Sequence, residues 1–137
     1  MVHSIKINCS KSSLKEIREF AEKILSNYKI PEVERNLIVV AIDEVCANII
    51  IHAHHCNGTD EISIRISEFD NILEFAIIDQ GEIFNITDYN VPTLENLIKD
   101  KKPGGIGLIL VKKIMDKIMV EKQDGKSVCR MYKSLVL

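Results

Sequence analysis

A carboxylate, an amide and an imidazole recur every fourth residue along one apolar stretch, at Glu44, Asn48 and His52. A helix turns by 100° per residue, so these side chains drift by only about 80° over two steps and form one ridge. A carboxylate among apolar neighbours is costly unless it pairs with a cation, binds a metal or takes part in chemistry. The ridge therefore predicts either a buried ion pair or a site for a cation and phosphate.

A second motif, Asp79-Gln80-Gly81, follows an apolar run of strand character. A carboxylate accepts hydrogen bonds and can take one from an exocyclic amine such as that of adenine. The glycine allows a ligand to approach the backbone closely. The same three residues are also compatible with a plain turn.

A third motif, Gly104-Gly105-Ile106-Gly107, precedes an apolar helical segment that starts at Leu108. Free amides and the dipole at a helix N-terminus favour phosphate, although a flexible hinge would show the same glycines. The motif is neither the GxxxxGK[ST] phosphate loop nor the GxGxxG fingerprint. Lys101 and Lys102 just before it either neutralise phosphate charge or are simply solvated.

A cluster of imidazoles and a thiol, at His52, His54, His55 and Cys56, offers ligands that zinc accepts. Its spacing matches no standard structural zinc site. Histidines near a helix C-terminus also have a simpler explanation in the helix dipole. The helix dipole is therefore the preferred explanation, and zinc binding is the alternative.

The elements that must position these residues follow from periodicity and turn signals. Ser13 and Glu16 have capping-box spacing ahead of an amphipathic helix. Pro31 opens a second helix, which is apolar on nearly every side, as expected for a mostly buried helix. The predicted order is a strand at 2–8, these two helices, strands at 62–67 and 72–78, a long loop at 80–104 with at most a short helix at 94–98, a helix at 104–115, and a hairpin of 117–122 with 127–132.

This order predicts an α/β two-layer sandwich. Short turns join the paired strands, so we expect a mainly antiparallel mixed sheet, and three apolar-faced helices need one of its faces for burial. The loop at 80–104 is long enough to be a functional lid. We expect one domain over residues 1–137.

The composition narrows the functional classes. With 46% hydrophobic and 28% charged residues the chain suits a compact domain, and a net charge of −2 gives no basic field for nucleic acid or an anionic membrane. Its first residues lack an apolar signal core, so a cytoplasmic protein is expected. Four cysteines without a CxxC pair indicate reduced thiols.

The order of these motifs resembles the nucleotide-binding boxes of the histidine-kinase, gyrase and Hsp90 ATPase superfamily. Within it, the chain most resembles the bacterial anti-sigma factor serine kinases, through residues 79–84, 104–108, 112–118 and 125–128. Ile83 stands where many superfamily members have a second glycine, but Phe84 follows as in the anti-sigma branch. The resemblance covers nearly the whole chain and implies a histidine-kinase-like ATPase fold with an ATP lid.

The resemblance implies that the site binds ATP together with Mg²⁺. Asn48 would ligate Mg²⁺, Asp79 would receive the adenine amine with help from Ser127, the glycine loop would wrap the phosphates, and Glu44 would be the catalytic base. The nucleotide-binding set is then Asn48, Asp79, Gly81, Gly104, Gly105, Ile106, Gly107, Leu108 and Ser127.

The resemblance also implies partners. Family members phosphorylate a serine on an anti-anti-sigma protein of the STAS fold, and they regulate transcription by sequestering a sigma factor. Arg18 falls where the family meets its partners, and a homodimer is expected by resemblance alone. Two alternatives stay open: an ATP-dependent binding module that transfers no phosphate, and a domain that serves a two-component or phosphatase system.

Overall fold

The structure is a computed structural model that describes residues 2–8, 10, 12–50, 61–79, 105–123 and 125–135. In chain order these form β1 (Val2–Asn8), α1 (Ser13–Leu25), α2 (Glu32–Asn48), β2 (Glu61–Phe69), β3 (Ile72–Asp79), α3 (Gly105–Ile114), β4 (Lys117–Gln123) and β5 (Lys126–Ser134). This is the predicted order. The expected lid and its short helix lie outside the described residues, and the assignment of residues 1–137 to one domain stays a prediction.

The strands form one sheet in the order β1-β2-β3-β5-β4. All four pairings between the described strands are antiparallel, so the parallel pairing that a mixed sheet would include is not seen among them. Asp70 and Asn71 form the β2–β3 turn with φ angles of 51° and 61°. Short polar side chains tolerate this left-handed region, whose twist matches that of a hairpin.

The core lies between one face of this sheet and the helices, as the sandwich prediction required. Alternate residues of the central strands point to the helices and are at most 1% exposed, namely Ile62, Ile64, Ile66, Leu73, Phe75 and Ile77. Ile17 of α1, Ile38 of α2 and Val111 of α3 are fully buried against them. Among the described helices, none has the length and apolar character needed to cross a bilayer.

The start of α1 differs from the capping box expected at Ser13. The helix begins at Ser13 itself, and Ser12 before it makes no side-chain cap. The Ser13 hydroxyl instead donates a 2.8 Å hydrogen bond to the backbone oxygen of Asn8. This bond joins the first turn of α1 to the last residue of β1, so the serine serves tertiary structure rather than the helix end.

α2 packs against both α1 and α3, but one of its faces is open to solvent. Val33, Leu37 and Val40 are 73%, 43% and 39% exposed. The expectation of a mostly buried helix is therefore wrong on this face, because composition alone does not tell how many sides of a helix find neighbours. Beyond Asn48 the backbone widens into a π turn at Ile49 and Ile50, a feature often found at functional sites.

Candidate functional site

Two residues of the predicted ridge, Glu44 and Asn48, are described and lie half-buried in the last turns of α2. The Asn48 Nδ2 atom donates a 2.7 Å hydrogen bond to the backbone oxygen of Glu44. A carbonyl oxygen only accepts, so this bond fixes the orientation of the amide and leaves Oδ1 as the atom for a ligand. An amide oxygen beside a carboxylate is a donor set that suits a hard cation such as Mg²⁺.

The electrostatics of Glu44 do not match a buried ion pair. Burial raises the pKa of its carboxyl, and the neighbouring charge of Asp43 raises it further. Among the described residues no ion pair to Glu44 is seen, and Arg18 instead places its Nη1 atom 2.9 Å from Oδ1 of the neighbouring Asp43. A half-buried carboxylate with a raised pKa is suited to accepting a proton.

Asp79 and Ser127 meet at the end of the central strands. Asp79 is the last residue of β3, is 4% exposed, and lies directly opposite Ser127 of β5, which is 5% exposed. Directly opposed residues of antiparallel strands share a face. That face is the one covered by the helices, because strand alternation places Asp79 with the buried Phe75 and Ile77.

The charge of Asp79 acts on two buried thiols, Cys129 of β5 and Cys46 of α2. Burial and then the Asp79 charge raise the pKa of Cys129 to about 12. The pKa of Cys46 in α2 is raised as well, first by burial and then by nearby charges, among them that of Asp79. Lys133, near the other end of the β3–β5 pair, lies 3.8 Å from Glu34 in the first turn of α2, so Asp79 and Ser127 lie toward the Asn48 end of that helix. Both cysteines are free thiols, as predicted, while Cys9 and Cys56 lie outside the described residues.

The first turn of α3 reaches the same end of the molecule. Lys133 Nζ donates a 2.9 Å hydrogen bond to the backbone oxygen of Ile114, the last residue of α3, and lies 3.8 Å from Glu34 Oε1 in the first turn of α2. The two packed helices therefore run antiparallel. The free amides at Gly105 to Gly107 consequently lie at the Asn48 end of α2.

Four chain segments thus converge at one end of the fold: the end of α2, the end of β3, the start of β5 and the start of α3. Together they offer a buried acceptor for an amine, oxygen donors for a hard cation, free amides for phosphate and a carboxylate base. This combination fits a nucleoside triphosphate bound with Mg²⁺.

Several predicted residues cannot be placed in this site. Gly81, Gly104, Lys101, Lys102 and the cluster at 52–56 lie outside the described residues. For Ile106 and Leu108 the structure describes the helical backbone but not the side chain. Arg18 is on α1, 44% of its side chain is exposed, and it is paired with Asp43 rather than simply solvated.

Asp43 and Lys133 were not predicted from the sequence. Asp43 joins α2 to α1 through Arg18, which is 25 residues away, so no helical spacing rule links the two. Lys133 reads as an ordinary strand lysine, yet it connects three elements. Its one sequence signal is strand alternation, which places its stem on the helix-facing side with Cys129 and Met131.

Two Bacillus proteins named serine-protein kinase RsbW are similar to this chain. The one from Bacillus licheniformis is 32% identical over 93 residues, which cover 65% of this chain and 58% of the relative. The one from Bacillus subtilis is 30% identical over 105 residues, which cover 74% and 64%. The chain therefore spans about three fifths of the length of the curated relatives it matches.

Solved structures share the fold. The RsbU and RsbW domains of Rv1364c from Mycobacterium tuberculosis give a TM-score of 0.68 at 14% identity, over 98% of this chain and 32% of that one. The SiaB–SiaC complex from Pseudomonas aeruginosa gives 0.61 at 13% identity, over 97% and 89%. At these identities the likeness establishes the fold alone.

The family assignment rests on most of the chain. The model of the histidine kinase-like ATPase domain matches residues 7–133, a range that includes α2, the end of β3 and the start of α3. This chain therefore belongs to the histidine kinase-like ATPase domain family.

Proposed function

We propose that this chain is a cytoplasmic protein-serine kinase and anti-sigma factor: it binds Mg-ATP, phosphorylates an anti-anti-sigma protein of the STAS fold, and sequesters a sigma factor. The observation that carries the proposal is the convergence of the Glu44 and Asn48 pair, the Asp79 and Ser127 pair and the first turn of α3 at one end of the fold.

In this proposal the adenine amine donates to the buried carboxylate of Asp79, and Ser127 opposite it assists. Gly81, Gly104 and the first turn of α3, at residues 105–108, would let the backbone approach the nucleotide and its phosphates. Asn48 Oδ1 would hold Mg²⁺, which when bound neutralises charge on the phosphates.

Glu44 is proposed as the catalytic base. Burial, and then the neighbouring charge of Asp43, raise the pKa of this carboxyl, which makes it a stronger base than an ordinary glutamate. It would accept the proton of the attacking serine hydroxyl. Asp43 beside it is held by Arg18, so Glu44 is the member of the acidic pair that is left for substrate.

The partners are proposed from the relatives. Those of about 30% identity are named serine-protein kinases, and one structural neighbour is a two-protein complex. Arg18 is proposed to contact a partner, because its exposed guanidinium can exchange Asp43 for an acidic group of another protein. A homodimer is proposed on the resemblance alone.

The test is incubation of the purified chain with γ-labelled ATP and Mg²⁺, together with STAS-domain proteins from the same organism. We expect label on one serine of one such protein, and no label when Glu44→Gln replaces the wild-type chain. Measurable ATP binding without label on any native STAS protein would instead assign the chain to ATP-dependent binding modules that transfer no phosphate.

A further inference from the structure

Lys133 joins α2 and α3, the two helices that carry the proposed Mg²⁺ and phosphate contacts of the ATP site. Its Nζ atom donates 2.9 Å to the backbone oxygen of Ile114 and lies 3.8 Å from Glu34 Oε1 and 3.9 Å from Asp116 Oδ1. Only 20% of the side chain is exposed, so this ammonium group is far less screened by solvent than a surface lysine. We call Lys133, Glu34, Asp116 and the Ile114 carbonyl the clamp.

The clamp is itself anchored to the sheet. Asp116 Oδ2 accepts a 2.7 Å hydrogen bond from the backbone nitrogen of Ser134, and the Asp116 backbone nitrogen donates 2.9 Å to the Tyr132 oxygen. The end of α3 is therefore fixed to β5, while the Lys133 ammonium ties it to the first turn of α2. Moving α3 relative to α2 requires the Lys133 ammonium to change partners.

The clamp lies at the opposite end of α3 from the proposed phosphate-binding turn. Nine helical steps separate Gly105 from Ile114, which is roughly 13 Å along the axis at 1.5 Å per residue. A tilt of about 5° at the clamp would therefore move the first turn by roughly 1 Å. Displacements of that size can cost about 100-fold where a group must be positioned for chemistry.

We propose that Lys133 is a positioning residue for the triphosphate: by linking Glu34 to the Ile114 carbonyl, it holds the first turn of α3 at the correct distance from Asn48. This inference rests on the proposed function. Lys133 lies at the far end of α3 from the nucleotide, so its contribution is to the phosphate contacts of that helix and not to recognition of adenine by Asp79.

The test compares ATP with AMP, because AMP keeps the adenine contact but lacks the β- and γ-phosphates. In Lys133→Met we expect the Kd of Mg-ATP to rise by about 10- to 100-fold, with the Kd of AMP changed less than about twofold. Lys133→Arg, which keeps donors and charge, should restore most of the ATP affinity. Lys23→Met is the matched control, because Lys23 is an exposed lysine in the last turn of α1.

Glu34→Gln separates the clamp from simple helix capping. It leaves the Lys133 bond to Ile114 in place and weakens only the link to α2, so ATP affinity should fall in the same direction but less, with AMP unchanged. This variant also decides the question if Lys133→Met does not fold. A wild-type ratio of ATP to AMP affinity in Glu34→Gln, or in folded Lys133→Met, would overturn the clamp. A wild-type chain that binds no ATP would overturn the proposed function instead.

Discussion

Replacing Glu44 with glutamine separates a catalytic role for this residue from a structural one. The change keeps the volume and the hydrogen-bonding capacity of the side chain but removes the carboxylate that would accept the serine proton. General-base assistance is worth about 10² to 10⁴ in rate, or about 3 to 5 kcal/mol of activation free energy. We therefore expect phosphotransfer to fall by that factor while ATP binding persists.

The structure also fixes the expected effect on stability. No cation pairs with Glu44 among the described residues, so the substitution strands no buried charge there. The raised pKa means that folded Glu44 holds its proton more tightly than the unfolded chain does. The ionised form therefore opposes folding above this pKa, and the penalty disappears below the ordinary value of 4.5. Near neutral pH, Glu44→Gln should be as stable as wild type or slightly more stable.

Thermal melts and single-turnover phosphotransfer on one preparation provide the assay. Glu32→Gln is the matched control, since it makes the same change at an exposed position of the same helix. Breaking a buried ion pair would cost about 3 to 5 kcal/mol and lower the Tm by roughly 10 °C or more. A Glu44→Gln protein with that loss and a wild-type transfer rate would refute the assignment of Glu44 as the base.

Three further substitutions have defined outcomes. Asn48→Ala should raise the Kd of ATP and abolish its dependence on Mg²⁺ in calorimetry, because the ligand oxygen is lost. The fold should persist, because alanine favours the helix. An unchanged, Mg²⁺-dependent affinity would remove Asn48 from the site. Asp79→Asn should weaken the binding of ATP more than the binding of GTP, and equal losses for both nucleotides would contradict adenine recognition. The same change should lower the pKa of Cys129 from about 12, because the Asp79 charge is the second cause of that raised pKa. Ile38→Ala should cost about 2 to 5 kcal/mol in denaturant unfolding because Ile38 is fully buried, whereas Leu37→Ala, at a position 43% exposed, should cost about 0.5 kcal/mol or less; similar losses would contradict the orientation of α2.

Local chemistry made most of the fold predictable from the sequence. Alternation at Ile62, Ile64 and Ile66 and the turn at Asp70-Asn71 are short-range signals, and both hairpins follow from such signals. The ridge of Glu44 and Asn48 could be predicted because four-residue spacing places side chains on one helix face. In each of these cases the structural feature is determined by residues that lie within a few positions of one another in the sequence.

Features that depend on contacts distant in sequence could not be predicted in this way. The open face of α2 at Leu37 follows from the number of neighbours that the helix finds, which its own residues do not encode. Arg18 with Asp43, and Lys133 with Glu34, become neighbours only when helices and sheet pack. The pairing of Asp79 with Ser127 depends on the register of β3 with β5, and the two residues are 48 positions apart in sequence. The motifs could be recognised singly, but their common location needed the tertiary structure.

The most direct test of a nucleotide site at this end of the fold is to map Mg-ATP binding by amide chemical shifts of the isotope-labelled chain. We expect the largest shifts at the end of α2 near Asn48, at Asp79 and Ser127, and in the first turn of α3 at Gly105. Residues of the opposite sheet face should change little, including Arg130 and its 2.9 Å partner Glu74. Saturable shifts centred on Arg130 and Glu74, with Asn48 and Asp79 unmoved, would contradict the proposed site.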